Sequence, residues 1–354
     1  MSRELRILFT ADPELPVPPV RYGGIERIVA SLIGEFRSRG HKVGLLAHPE
    51  SSAQTDWQAG WPGAASQRWL HTAANLRALS RSVNDFDPDV VHSFSRIAYL
   101  GSHLLGKLPK VMSYQRDPSP RTTSWAARLA GESLVFTGCS EHIAAKGRRA
   151  GGRWEAIPNF VDLKQFTFVP EVAADAPLVF LSRIESIKGC HTAIAIAKAS
   201  GRRLLIAGNR VESGSAAGYW NKEIEPHLGK DGIEYVGTVD DEQKNALLGQ
   251  AAAMVVPIEW EEPFGIVFAE ALACGTPVIA CPRGAVPEII KNGIHGFHMM
   301  NTDEGVAAVS HLHEISRAAC RRQVEGRFTV SAVADKYLEL YQSIILGFSP
   351  TPAP

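Results

Sequence analysis

Glu262 and Glu270 stand eight residues apart in Glu262-Pro-Phe-Gly-Ile-Val-Phe-Ala-Glu270, and the chain continues Ala-Leu-Ala-Cys-Gly-Thr-Pro-Val-Ile-Ala. The Phe264-Gly265 pair marks a helix start, Gly275 and Pro277 mark its end, and a buried-strand pattern follows. A helix N-terminus presents free backbone N–H groups and a partial positive charge. One carboxylate just ahead of it and another two turns inside it would face one pocket, mixing donors and acceptors. That suits a ligand carrying both phosphates and hydroxyls, such as a nucleotide sugar. Glu270 lies in an almost wholly apolar helix, where a buried carboxylate is costly unless hydrogen-bonded. Two ribose hydroxyls would be suitable donors. Glu259 and Glu261 read as solvent-facing neighbours.

Arg183 and Lys188 occur in Leu-Ser-Arg-Ile-Glu-Ser-Ile-Lys-Gly, just after an apolar strand pattern. Two cations there could clamp a diphosphate, the arginine with its planar fork and the lysine as a point charge. Neutralising a leaving diphosphate in this way is electrostatic catalysis without a metal. The chain shows no clustered acidic or His/Cys metal motif, so no metal and no cofactor are expected. Gly23 and Gly24 follow the first strand and a proline-rich loop, and Ile25 opens a helical pattern. Glycines there let a backbone approach a phosphate, although a plain turn before a helix reads the same way. The Gly-x-Gly-x-x-Gly fingerprint of dinucleotide sites is absent.

Elements must hold these groups. Arg6–Thr10, Lys42–Ala47, Val90–Ser93, Val111–Tyr114 and Leu134–Gly138 read as buried strands. The stretches between them have helical spacing, as in Ile25-Ile28-Val29-Leu32-Ile33-Phe36. The second half repeats the alternation with Leu178–Leu181, Arg203–Ala207, Ile233–Val236, Ala253–Val256 and Val278–Ala280. This is the grammar of two doubly wound parallel sheets, with ligands in the crevice at the strand C-termini. The proline-containing stretch from Ile157 to Pro177 suits the boundary, which gives an N-terminal domain over 1–162 and a C-terminal domain over 170–329. The helical pattern 330–346 could pack back on the first domain, and the Pro-Thr-Pro-Ala-Pro tail is expected to be disordered.

Composition removes other classes. The 354 residues hold 37 basic and 37 acidic side chains, so broad nucleic-acid affinity is not expected. Five scattered cysteines read as reduced, buried thiols, the N-terminus goes straight into a strand rather than a secretory signal, and no apolar run approaches a bilayer span. A cytoplasmic protein is expected.

Together these segments resemble a retaining glycosyltransferase of family 4, with the GT-B fold of two Rossmann-like domains whose parallel sheets face a central cleft. The residues that carry the resemblance are Tyr22-Gly23-Gly24-Ile25-Glu26, Ile157-Pro-Asn-Phe-Val-Asp162, Ser182-Arg-Ile-Glu-Ser-Ile-Lys-Gly189, and Glu262 through Glu270 running on to Gly284-Ala-Val-Pro-Glu-Ile289. The resemblance implies that Glu270 binds the nucleotide ribose and Glu262 the hydroxyls of the transferred sugar. It places the backbone N–H groups of Phe264, Gly265 and Ile266 on the sugar or distal phosphate, Arg183 and Lys188 on the diphosphate, and Gly24 near the phosphates from the first domain. The implied reaction moves a hexose from a nucleoside diphosphate sugar to a hydroxyl of a sugar, lipid or natural product. Uridine diphosphate is placed first as the carrier and guanosine diphosphate second. A nucleotide-sugar epimerase, a phosphorylase and a non-catalytic nucleotide-sugar-binding protein are the rival readings.

One position departs from the family. Where members often carry a histidine near the reacting carbon, this chain has Gln115, or by a shifted register Arg116. Glutamine gives and accepts hydrogen bonds but takes no proton. No carboxylate is placed as a covalent nucleophile, so a front-face mechanism is expected, in which the leaving phosphate helps deprotonate the acceptor. His92 ends another strand and either enters the cleft or serves as a satisfied structural histidine. The basic segment Lys146–Arg153 reads as a solvated loop before it reads as a peripheral contact with an anionic membrane. Trp57, Trp61 and Trp69 read as packing residues before they read as an acceptor wall.

Overall fold

The computed structural model describes residues 3–20, 23–64, 68–210 and 214–347. Tyr22 and the proline-rich tail lie outside the described residues. The chain forms two compact units: one runs to Asn159 and resumes at Val330, and the other is Phe160–Thr329.

The first unit holds a parallel sheet of β1 (Arg6–Thr10), β2 (Lys42–Ala47), β3 (Trp57–Gly60), β4 (Val90–Ser93), β5 (Lys110–Tyr114), β6 (Leu134–Gly138) and β7 (Arg153–Ala156), in the order β3-β2-β1-β4-β5-β6-β7. Its helices are α1 (Gly24–Ser38), α2 (Trp69–Phe86), α3 (Pro120–Ala130) and α4 (Glu141–Arg148). The second unit holds β8 (Leu178–Leu181), β9 (Leu204–Ala207), β10 (Ile233–Gly237), β11 (Ala253–Val256), β12 (Val278–Ala280) and β13 (Gly296–His298), in the order β10-β9-β8-β11-β12-β13. With it come α5 (Cys190–Ala199), α6 (Gly214–Tyr219), α7 (Asp241–Gln250), α8 (Ile266–Ala273), α9 (Val286–Ile289), α10 (Thr302–Ser310) and α11 (Arg317–Arg327). The last helix, α12 (Val330–Ile345), packs against α1 in the first unit.

The ten strands read from the sequence are all present. The three that were missed, β3, β7 and β13, lie at sheet edges, where one side of the strand has no partner and burial is incomplete. In each sheet the chain order reverses once, between β1 and β4 and between β8 and β11. Such a reversal leaves a crevice at the strand C-termini, and ligands of doubly wound sheets bind there.

Alternation along the central strands of the first unit separates two cores. Leu8, Val91, Met112 and Phe136 join a cluster with residues of α2, α3 and α4. On the other face His92 is fully buried beneath α12. Its Nδ1 meets Tyr341 Oη at 2.5 Å and its Nε2 meets Ser113 Oγ at 2.7 Å, which in turn meets Thr137 Oγ1 at 2.6 Å. The rings of Phe9, Phe94 and Tyr337 surround it, with centroids 5.0, 4.5 and 4.7 Å away. His92 is therefore a structural pin for α12, which resolves the two sequence readings of this residue.

Burial holds the His92 pKa well below the usual value. The native state keeps the ring neutral, while the unfolded chain protonates it below about pH 6.5. Stability from this residue is thus present above that pH and is lost as pH falls. The expected slope reaches about 1.4 kcal/mol per pH unit for one proton. Urea midpoints between pH 7.5 and 5.5 should show it, and His92→Gln should shrink the slope. His41, His103 and His295 are also lowered by burial and leave a residual slope, so the difference between the two proteins isolates His92. An unchanged slope in the variant refutes the assignment.

Candidate active site

The candidate residues of the second unit gather at its chain-order reversal. Arg183 and Lys188 follow β8, and Glu262 lies on the connection from β11 to α8. Gly265 caps α8 with φ 84°, and a Cβ there would stand 2.5 Å from the Phe268 ring, so a side chain is excluded twice over. The helix then starts at Ile266, as the sequence indicated. First-turn N–H groups have no intrahelical partner. Among the described residues no other acceptor meets those of Phe264, Gly265 and Ile266.

Glu262 is largely buried, with 13% of its side chain exposed. Its Oε2 accepts from Lys188 Nζ at 2.8 Å and from Trp260 Nε1 at 2.9 Å. Its backbone carbonyl accepts from Ala285 N–H at 2.8 Å, which ties the loop down from the other side. Oε1 has no protein partner among the described residues.

Glu270 repeats the pattern. Its Oε1 accepts from Lys244 Nζ at 2.6 Å, and Oε2 is left without a partner among the described residues. Lys244 also meets Asp241 at 3.3 Å and lies over the Phe166 ring. The sequence reading assigned hydroxyl donors to Glu270 and missed Lys244. The available signal was weak: one lysine in a polar helix 26 residues upstream, where a solvated role is the ordinary expectation. Only the packing of α7 against α8 brings the two together. A carboxylate removed from water needs a partner at close range, and the fold supplies one before any ligand arrives.

Arg183 is not drawn into this cluster. It pairs with Glu185 at 3.0 Å and keeps half its side chain exposed, so it is held only weakly and can turn to a ligand. Glu261 is exposed, as expected, yet it accepts from Gly284 N–H at 2.8 Å and so helps hold the loop.

In the first unit, Gly23 precedes α1 and Gly24 opens it. Gln115 follows β5 and its Oε1 accepts from Asn159 Nδ2 at 2.7 Å. That bond fixes the amide orientation and leaves Nε2 as a donor. Trp61 is buried and donates to Ala11 O, Trp57 packs on Phe86, and Trp69 is exposed. In the basic segment Lys146 pairs with Asp117 and Arg148 with Glu141, which reduces its free charge. All five cysteines are buried and none is in a disulfide. A cavity of about 1170 Å³ lies at the N-terminal ends of the strands of the second sheet, by Arg202, Ala252 and Pro277, which precede β9, β11 and β12. Neither Glu262 nor Glu270 lines it.

Two family models cover most of the chain. Glycosyltransferase Family 4 matches residues 22–165, and Glycosyl transferases group 1 matches residues 166–320. The chain belongs to glycosyltransferase family 4. The glycogen synthase of Mycobacterium tuberculosis is 26% identical over 366 residues, spanning 88% of this chain and 87% of its own. AviGT4, a glycosyltransferase involved in avilamycin A biosynthesis, has a similar structure with a TM-score of 0.71 at 23% identity, covering 97% of this chain and 98% of that one. Anabaena HepE, solved in complex with UDP-glucose, has a TM-score of 0.73 at 17% identity, covering 96% and 100%. The GT-B fold expected from the sequence is therefore found. Among the described residues no helix is long and apolar enough to cross a membrane.

Proposed function

We propose that this family 4 glycosyltransferase transfers a hexose, with retention, from a nucleoside diphosphate sugar to a hydroxyl of a sugar, lipid or natural-product acceptor. The observation that carries the reading is the pair of half-engaged glutamates. Each has one oxygen held by a lysine and one oxygen open, and the two flank a helix N-terminus at the chain-order reversal of the second sheet. Glu270 Oε2 is offered to ribose hydroxyls and Glu262 Oε1 to hydroxyls of the transferred sugar. Lys188, Arg183 and the α8 N-terminus neutralise the diphosphate. Gln115 contributes an amide hydrogen bond, and Gly23 and Gly24 contribute close backbone approach to a phosphate. Metal-independent transfer is part of the proposal.

In the front-face form of the reaction, the bond from the anomeric carbon to the diphosphate oxygen breaks. The bond to the acceptor oxygen forms on the same face, and the acceptor proton passes to the leaving diphosphate. No basic side chain is required at position 115 for that transfer. Uridine diphosphate remains the first carrier, supported by HepE, which was solved with UDP-glucose; guanosine diphosphate is second.

A thermal-shift panel of nucleotide sugars identifies the donor, because a ligand at 100 times its Kd stabilises by about 2.7 kcal/mol. Incubation of that donor with a panel of hydroxyl acceptors, with and without EDTA, then tests transfer. Anomer-retained product at equal rates under both conditions is expected. Donor epimerised without acceptor, or donor bound with no turnover on any acceptor, refutes the reading.

A further inference from the structure

Trp260 belongs to the loop that carries Glu262, and neither the spacing of the glutamates nor the family resemblance singled it out. Its indole Nε1 donates to Glu262 Oε2 at 2.9 Å. Lys188 Nζ meets that same oxygen at 2.8 Å and sits over the Trp260 ring, 4.6 Å from the centroid. One tryptophan thus touches both members of the ion pair, by its edge on the carboxylate and by its face on the ammonium.

We infer that Trp260 is a positioning residue for the transferred sugar: it decides which oxygen of Glu262 is presented and keeps Lys188 beside it. The inference rests on the proposed reading of Glu262 as the carboxylate that holds sugar hydroxyls. A lysine is a point charge on a flexible stem and sets a distance without setting an orientation. An indole N–H is a directional donor on a rigid ring with two rotatable bonds. With Lys188 alone, the Glu262 carboxylate could rotate and exchange its oxygens. With the indole added, two donors converge on Oε2, and Oε1 is left as the acceptor offered to ligand. The ring face also holds the ammonium by cation–π attraction, so the lysine does not follow a diphosphate away from the carboxylate.

Trp260→Phe tests this, because it keeps an aromatic ring under Lys188 and deletes the N–H donor, at the cost of the smaller ring area. A hydrogen bond to a charged partner corresponds to roughly a 10- to 100-fold effect. The expected result is a fall of that size in kcat/KM for the nucleotide sugar, with affinity for the matching nucleoside diphosphate within about twofold of the unsubstituted protein. A merely structural tryptophan would move both together. Trp260→Leu also removes the ring and should weaken the nucleoside diphosphate as well. In the unsubstituted protein, the Trp260 indole N–H resonance should shift more on adding the nucleotide sugar than on adding the nucleoside diphosphate, a measurement that does not depend on the variant folding. Unchanged kinetics in Trp260→Phe, parallel losses for both ligands, or identical resonance shifts overturn the inference. If Glu262→Gln retains full transfer, the reading of the site falls and this inference falls with it. If Glu262→Gln is inactive while Trp260→Phe behaves normally, only the inference falls.

Discussion

Glutamine at position 262 is expected to lower kcat/KM for sugar transfer by about 100-fold or more while the chain stays folded. The change preserves shape and removes the charge. Its amide oxygen can still accept from Trp260, but the other terminus becomes a donor where Oε1 now offers an acceptor to ligand. The ion pair with Lys188 is lost as well, and both side chains are nearly buried, at 11% and 13% exposure. Removing one partner of a buried pair costs about 3–5 kcal/mol when the other charge is left bare. Two circumstances reduce that cost here: the glutamine oxygen remains polar, and a bound diphosphate would give Lys188 a new counter-ion. Alanine in place of Glu262 should also abolish transfer, with a larger loss of stability because nothing replaces the carboxylate. Initial rates with saturating acceptor, calorimetric titration of the nucleoside diphosphate and a urea midpoint separate these effects. Full activity in either variant would sink the assignment of Glu262. Loss of activity caused only by unfolding would leave nucleoside diphosphate binding abolished too.

The second large effect is structural. Gly189 links the Lys188 turn to α5 and has φ 75°. A Cβ there would stand 2.1 Å from the carbonyl oxygen of Pro257, a backbone atom on the connection leading to Glu262. Alanine must therefore adopt a left-handed conformation, which costs about 1–2 kcal/mol. It must also displace one of the two loops, at about 1–3 kcal/mol for an overpacked site. We expect Gly189→Ala to destabilise the protein by about 2–5 kcal/mol and to lower the melting temperature by about 10 °C for a unit of this size. Transfer should fall even in the fraction that remains folded, because the loops move apart and Lys188 no longer meets Glu262. Gly201→Ala is the control: its φ of 65° imposes the same backbone strain, but no atom lies within 4 Å of the added Cβ. Equal melting temperatures for the two variants would show that the contact with Pro257 contributes nothing.

Gly189 also shows the limit of what could be read from the chain. In the sequence it is a glycine after a lysine, and a phosphate-approaching turn is a sufficient explanation. In the fold it is needed for the close passage of two protein segments, whatever ligand binds. The same holds in the first unit for His92, whose strand-end position left two readings open. The tertiary environment closed that question by burying the ring among Phe9, Phe94 and Tyr337 and giving both nitrogens partners.

The sequence by itself determined the two doubly wound units, the central strands, the helix start at Gly265 and the identity of the two glutamates. Those features depend on local rules: apolar periodicity for buried strands, the backbone freedom of glycine at a helix start, and the incongruity of a carboxylate in an apolar helix. Three of the four edge strands, β3, β7 and β13, escaped because they are short and incompletely buried, whereas the longer β10 at the fourth edge was legible. Only the tertiary structure decided how each carboxylate is neutralised. Lys188 reaches Glu262 across 74 residues, Lys244 reaches Glu270 across 26, and Trp260 orients the first pair from two residues away. A charge interaction depends on distance and dielectric, and folding sets both at once. No spacing rule written along the chain specifies them.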